Sequence, residues 1–144
     1  MPDHIAGGID MGHFGLIGLA LHLKAAAVIG LQPDYAQAYT NRAAAKETLG
    51  DQEGAIADHT QAIRLQPELA LPYSNRAKPK VALGDLRGAI EDCTQALRLR
   101  PDYAEAYAQR GFAKIRGGDL GGAIEDLTQA LRLDPEYTKV YALR

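Results

Sequence analysis

Three arginines, Arg42, Arg76 and Arg110, each stand sixteen residues ahead of an aspartate, Asp58, Asp92 and Asp126, and a lysine follows each arginine by four residues, at Lys46, Lys80 and Lys114. A guanidinium and a carboxylate repeated at one internal distance allow two kinds of chemistry. They can close bidentate pairs between packed segments, or the cations can form a stripe for an anionic ligand. Pairing is the expected use, because a charge pair repeated at the same place fixes the register of neighbouring elements. Arg144 extends the arginine row.

Little else in the sequence is equipped for catalysis. Cys93 is the lone cysteine and sits in an apolar series, which marks an inert thiol without an activating base. His4, His13, His22 and His59 have no ligand-type spacing, so no metal site is expected, and His59 reads as a packing residue. The glycines Gly111, Gly117, Gly118, Gly121 and Gly122 lack the phosphate-loop pattern GxxxxGK[ST]. Sixteen Lys plus Arg against eighteen Asp plus Glu, in 144 residues, leave a net charge of −2, too balanced for a protein built to neutralise a nucleic-acid backbone. The expectation is a protein without catalytic residues or cofactor, in a reducing, cytoplasmic setting.

The elements that must position these residues follow from a period of 34. Pro33, Pro67, Pro101 and Pro135 each head nearly the same sequence. After the proline, apolar or small residues come at three- and four-residue spacing (Ala36, Tyr39, Ala43; Ala104, Tyr107, Gly111), the mark of an amphipathic helix. Gly50-Asp51, Gly84-Asp85 and Gly118-Asp119 end that helix and cap the next one. The second helix carries Ala55, Ile56, Ala62 and Ile63 or their equivalents before the next proline stops it. Each unit is therefore a helical hairpin. Pro79, inside a first helix, predicts a bend of the axis between residues 76 and 81.

Residues 1–32 differ in kind, with Asp3, Asp10 and Lys24 as their charges and an apolar stretch over 14–31. The ending VIGLQP has the shape of AIRLQP, so the segment reads as a decayed second helix of a preceding repeat that covers the apolar face of the array. A signal peptide fits poorly, because no Lys or Arg precedes the apolar run and His22 and Lys24 interrupt it. A membrane span fits worse, with a lysine near its centre.

The period and the landmarks Tyr39, Ala43, Ala55, His59 and Pro67, with Tyr73, Ala77, Ala89, Cys93 and Pro101, then Tyr107, Gly111, Ala123, Leu127 and Pro135, make the chain similar to tetratricopeptide repeat proteins. The charged rows at Arg42 and Lys46 and their equivalents depart from that family's pattern. The resemblance implies an all-α solenoid of antiparallel helical hairpins wound into a right-handed superhelix. The expected organisation is a leader at 1–32, repeats at 33–66, 67–100 and 101–134, and the first helix of a truncated fourth repeat at 135–144. It also implies protein binding, with a peptide or partner helix lying in a concave groove.

Transferred residue by residue, the groove places are Gln37, Thr40, Asn41 and Glu47, then Ser74, Asn75 and Lys78, then Glu105, Gln109, Phe112 and Arg116. The amides of Asn41, Asn75 and Gln109 form a row suited to a peptide backbone, and Phe112 offers an apolar contact. The family's clamp for acidic chaperone tails is not expected. Its places hold Thr40, Ala44, Asn75, Glu105 and Gln109, of which Asn75 alone matches. The alternative to a peptide scaffold is a self-associating module, swapped or joined head to tail as a homodimer, or a truncated or engineered array with no evolved ligand. Its contact residues would be Phe14, Leu16, Ile17, Leu19, Leu21, Leu23 and Tyr141.

Overall fold

The computed structural model describes residues 13–32 and 34–136, and all regular structure among them is helical. The elements are α1 (His13–Leu31), α2 (Ala36–Thr48), α3 (Gln52–Leu65), α4 (Ala70–Ala82), α5 (Leu86–Leu99), α6 (Ala104–Arg116) and α7 (Leu120–Leu133). They fall into two compact units that part between Pro67 and Glu68, the first holding α1 to α3 and the second α4 to α7.

The hairpin turns form for a local reason. Gly50, Gly84 and Gly118 take φ of 86°, 85° and 88°, the left-handed conformation that lets the first helix stop. The following Asp51, Asp85 and Asp119 each accept a hydrogen bond from the backbone N–H three residues on, at 2.9, 2.9 and 3.0 Å. Those N–H groups belong to Gly54, Gly88 and Gly122, where a Cβ would run into the capping carboxylate. A larger residue at these places would oblige the capping carboxylate to shift aside.

The packed faces are dominated by alanine. Ala43, Ala55 and Ala62 are buried in the first unit, and Ala77, Ala89, Ala96, Ala106, Ala113 and Ala123 in the second. Small side chains let helix backbones approach closely, yet each buried carbon contributes only about 0.8 kcal/mol. Polar links between the helices therefore carry unusual weight.

In the first unit α1 lies on α2, and α2 on α3. A Cβ on Gly18 would come within 2.9 Å of the Thr48 methyl, so glycine there permits the close approach of α1 to the end of α2. In the second unit α4 packs on α5, α5 on α6 and α6 on α7, and α4 also touches α6. Helix α4 continues past Pro79, whose carbonyl accepts from Leu83 N at 3.1 Å. No helix among the described residues is long and apolar enough to cross a membrane.

Candidate functional site

Every arginine of the repeated row reaches its aspartate. Arg42 donates to both oxygens of Asp58 at 2.8 Å, Arg76 to those of Asp92 at 2.8 and 2.7 Å, and Arg110 to those of Asp126 at 2.8 and 2.7 Å. The lysines join the same carboxylates, Lys46, Lys80 and Lys114 lying 3.0, 2.9 and 2.9 Å away. Two cations thus converge on one buried carboxylate inside each hairpin. Neither row stands free as a stripe for anions. Each guanidinium also lies over the tyrosine three residues before it, 5.8, 5.9 and 5.6 Å from the ring centres of Tyr39, Tyr73 and Tyr107.

Burial alone would push the carboxyls of Asp58 and Asp126 upward, but the hydrogen bonds from Arg and Lys outweigh it and hold both below the usual range. Hydrogen bonding to the aspartates raises all three arginines further. Arg110 makes one more link, donating to the Thr94 hydroxyl on α5 at 3.1 Å, and so ties one hairpin to the next within the second unit.

Cys93 and His59 are both buried. Burial, with Asp92 close by, pushes the Cys93 thiol up to about 12. His59 is buried, with Nε2 3.1 Å from Glu47 Oε1. No cluster of metal-binding groups occurs among the described residues.

The expected groove residues divide. In the first unit Gln37 and Asn41 are exposed and bonded to each other, Gln37 Nε2 donating to Asn41 Oδ1 at 3.0 Å. Thr40 is buried and its hydroxyl turns back toward the Ala36 carbonyl, while Glu47 turns to His59. In the second unit Ser74 is fully buried and donates to Gln109 Oε1 at 2.7 Å, and Gln109 Nε2 donates to Glu105 at 3.3 Å. Thr40 and Ser74 therefore leave the expected wall, because their short side chains point beneath the helix surface. Lys78 and Arg116 are exposed, and Asn75, Glu105, Gln109 and Phe112 are half-buried. Of the expected self-association residues, Leu16, Ile17, Leu21 and Leu23 are exposed and Leu19 is half-buried. The Phe14 side chain and Tyr141 lie outside the described residues.

The helical-hairpin fold is shared with known proteins. Models of the tetratricopeptide repeat match residues 36–69 and 104–137. Among solved structures, the second tetratricopeptide domain of Spaghetti (RPAP3), bound to the HSP90 peptide SRMEEVD, is 32% identical with a TM-score of 0.68, over 72% of this chain and 96% of that one. The chain belongs to the tetratricopeptide repeat family. The TPR2B domain of yeast Sti1, in complex with an Hsp70 peptide, is 30% identical at a TM-score of 0.68, over 72% of this chain and 83% of that one. MamA, at 20% identity and a TM-score of 0.74 over 81% and 68% of the two chains, shares the fold. The curated protein sequences contain no match.

Two features of this tetratricopeptide protein escape sequence reasoning. The Arg110 to Thr94 bond crosses between hairpins, and a sixteen-residue spacing run backward from Arg110 is its sole trace in the sequence. A cleft between α1 and α2, lined in part by Lys24, Tyr35 and Asn41, has no signature in a helix as uniformly apolar as α1.

Proposed function

We propose that this tetratricopeptide protein is a non-catalytic scaffold that holds a peptide or partner helix against its first helices, with repeats at 33–66, 67–100 and 101–134. The observation that carries this reading is the pairing of α4 and α6 in the second unit. The two first helices touch, Ser74 anchors Gln109 between them, Lys78 and Arg116 are exposed, and Asn75 and Phe112 are half-buried. An amide on one first helix and an aromatic ring on the next suit an extended peptide, the amide bonding the backbone and the ring taking one apolar side chain. Gln37 and Asn41 supply comparable amides on α2.

The relatives' peptides give the contrast. Spaghetti holds the acidic tail SRMEEVD, whereas Glu105 and Gln109 here stand where the chaperone-tail clamp needs cations. The peptide proposed is therefore not an acidic C-terminal tail.

The test is selection of twelve-residue peptides displayed on phage against the full chain, followed by titration of synthetic copies. Selected peptides should lose at least tenfold in affinity with Asn75→Ala and with Phe112→Ala, and SRMEEVD should not bind. Peptides indifferent to both substitutions, or tight binding of SRMEEVD, would overturn the reading.

A further inference from the structure

In the first unit, a cleft of about 260 Å³ opens between α1 and α2, with Leu21, Lys24 and Val28 on one side and Tyr35, Ala38 and Asn41 on the other. Two periods later, 68 residues along, the same six places hold Ala89, Asp92, Ala96, Tyr103, Ala106 and Gln109. In the second unit those residues are the floor on which α4 lies. Ala77 packs with Ala89, Ala70 and Tyr73 pack against Ala96, Tyr103 and Ala106, Arg76 grips Asp92, and Ser74 bonds Gln109. The difference in cover is plain in the tyrosines: Tyr103 is 7% exposed and Tyr35 is 47% exposed. The cleft thus has the lining of a seat for a first helix, and no described helix covers it.

Its chemistry differs from the second unit's at one decisive place. Where Asp92 receives Arg76 and Lys80, the cleft presents Lys24, and α1 carries no carboxylate along its length. On the α2 side the lining groups are the Tyr35 phenol, the Ala38 methyl and the Asn41 amide, and the nearby Arg42 is engaged with Asp58. A first helix from a second copy of this chain would bring Arg42, Arg76 or Arg110 against Lys24, a like-charge contact in a partly desolvated cleft. A carboxylate at that place would restore the pairing with reversed sign. Leu21, larger than Ala89, adds apolar surface beside it.

We propose that the α1–α2 cleft docks an amphipathic helix of another protein, one that places an Asp or Glu opposite Lys24 and takes the position α4 takes on α5 and α6. Its apolar stripe would cover Leu21, Val28 and Tyr35, and Asn41 would bond a hydroxyl or amide in the place of Ser74. The seat lies in the other unit from the α4–α6 wall and does not rest on the peptide reading made for that wall.

Two fluorescein-labelled peptides of residues 68–84 test it, both carrying Pro79→Ala to favour the helix, and one also carrying Arg76→Glu and Lys80→Glu. The glutamate peptide should bind the full chain at least tenfold more tightly than the peptide with the original cations. Lys24→Asp in the chain should reverse that order, while Asn75→Ala should leave both affinities unchanged. Lys24 is exposed, and an unaltered circular dichroism spectrum would establish that the variant folds. Equal binding of the two peptides, or an order indifferent to Lys24→Asp, would overturn the proposal. Binding that emerges only when residues 1–12 are removed would make the chain's own N-terminal segment the occupant. A concentration-dependent dimer that the glutamate peptide dissociates would make a second copy the occupant. Either result would overturn docking of a foreign helix.

Discussion

Gly111 faces Leu127 so closely that a methyl group on its α-carbon would lie 2.9 Å from the leucine Cγ. One hairpin earlier the same two places hold Ala77 and Cys93, both buried in one cluster. The larger side chain on α7 is matched by the smaller one on α6, so the spacing of each hairpin depends on the sum of the two rather than on either alone.

Gly111→Ala should accordingly destabilise the protein by about 1 kcal/mol, because overpacking against Leu127 outweighs the roughly 1 kcal/mol that alanine gains in a helix interior. In a Leu127→Cys background the same change should stabilise. A double-mutant cycle from urea unfolding measures the coupling, and a Gly111→Ala effect of the same sign and size in both backgrounds would count against the contact.

Asp92→Ala removes the carboxylate on which Arg76 and Lys80 converge, leaving two mostly buried cations facing each other. A loss of about 3 kcal/mol is expected, read as a lower urea midpoint. The exposed pair of Arg87 with Glu91, 3.5 Å apart, is the control, and Glu91→Ala should leave the midpoint unchanged. An Asp92→Ala protein melting like its parent would show that the ladder does not hold the hairpins.

The ladder, the turns and the period were legible because each rests on residues that repeat in register. Gly50 with Asp51 announces its turn, and Arg42 announces Asp58, since a pattern repeated three times at one spacing leaves few geometries open. The burial of Thr40 and Ser74 was not legible, because a short polar side chain on a first helix is compatible with either the open or the packed side, and the neighbouring helix decides. The bond of Glu47 to His59 was not legible either, because His59 stands where the other hairpins carry Cys93 and Leu127. The cleft beside Lys24 was not legible at all. With apolar residues on every side of α1, the sequence does not say which face meets α2, and only the packing of Gly18 and Ala25 shows it.

The carboxyls of Asp58 and Asp126 titrate below their ordinary value of 3.8 in the folded protein, so the unfolded chain takes up protons first. Their stabilisation is full above the ordinary value and is lost as pH falls through the folded values. Thermal midpoints should therefore hold steady from pH 7 toward 5 and decline below about 4. Asp126→Asn should lower the midpoint at pH 7 and flatten the acid decline, so that parent and variant converge at low pH. Parallel curves for the two proteins would remove Asp126 from the account.

Pro79 occupies the place that Ala45 and Ala113 hold in α2 and α6, and all three side chains are buried. Its ring carries no N–H, so the Asn75 carbonyl is deprived of the backbone donor that a helix supplies four residues on. Alanine at this place restores the donor and fits a space that alanine already fills in two other hairpins. Against that gain of up to about 3 kcal/mol stands the loss of ring contacts at a fully buried position. Pro79→Ala should thus stabilise by about 1 kcal/mol in urea unfolding. The same change consumes the carbonyl of a residue on the proposed α4–α6 wall. If that carbonyl accepts from a bound peptide, Pro79→Ala should weaken the selected peptides severalfold while it strengthens the fold. A variant more stable than its parent and equal to it in peptide affinity would place the contact on the Asn75 side chain alone.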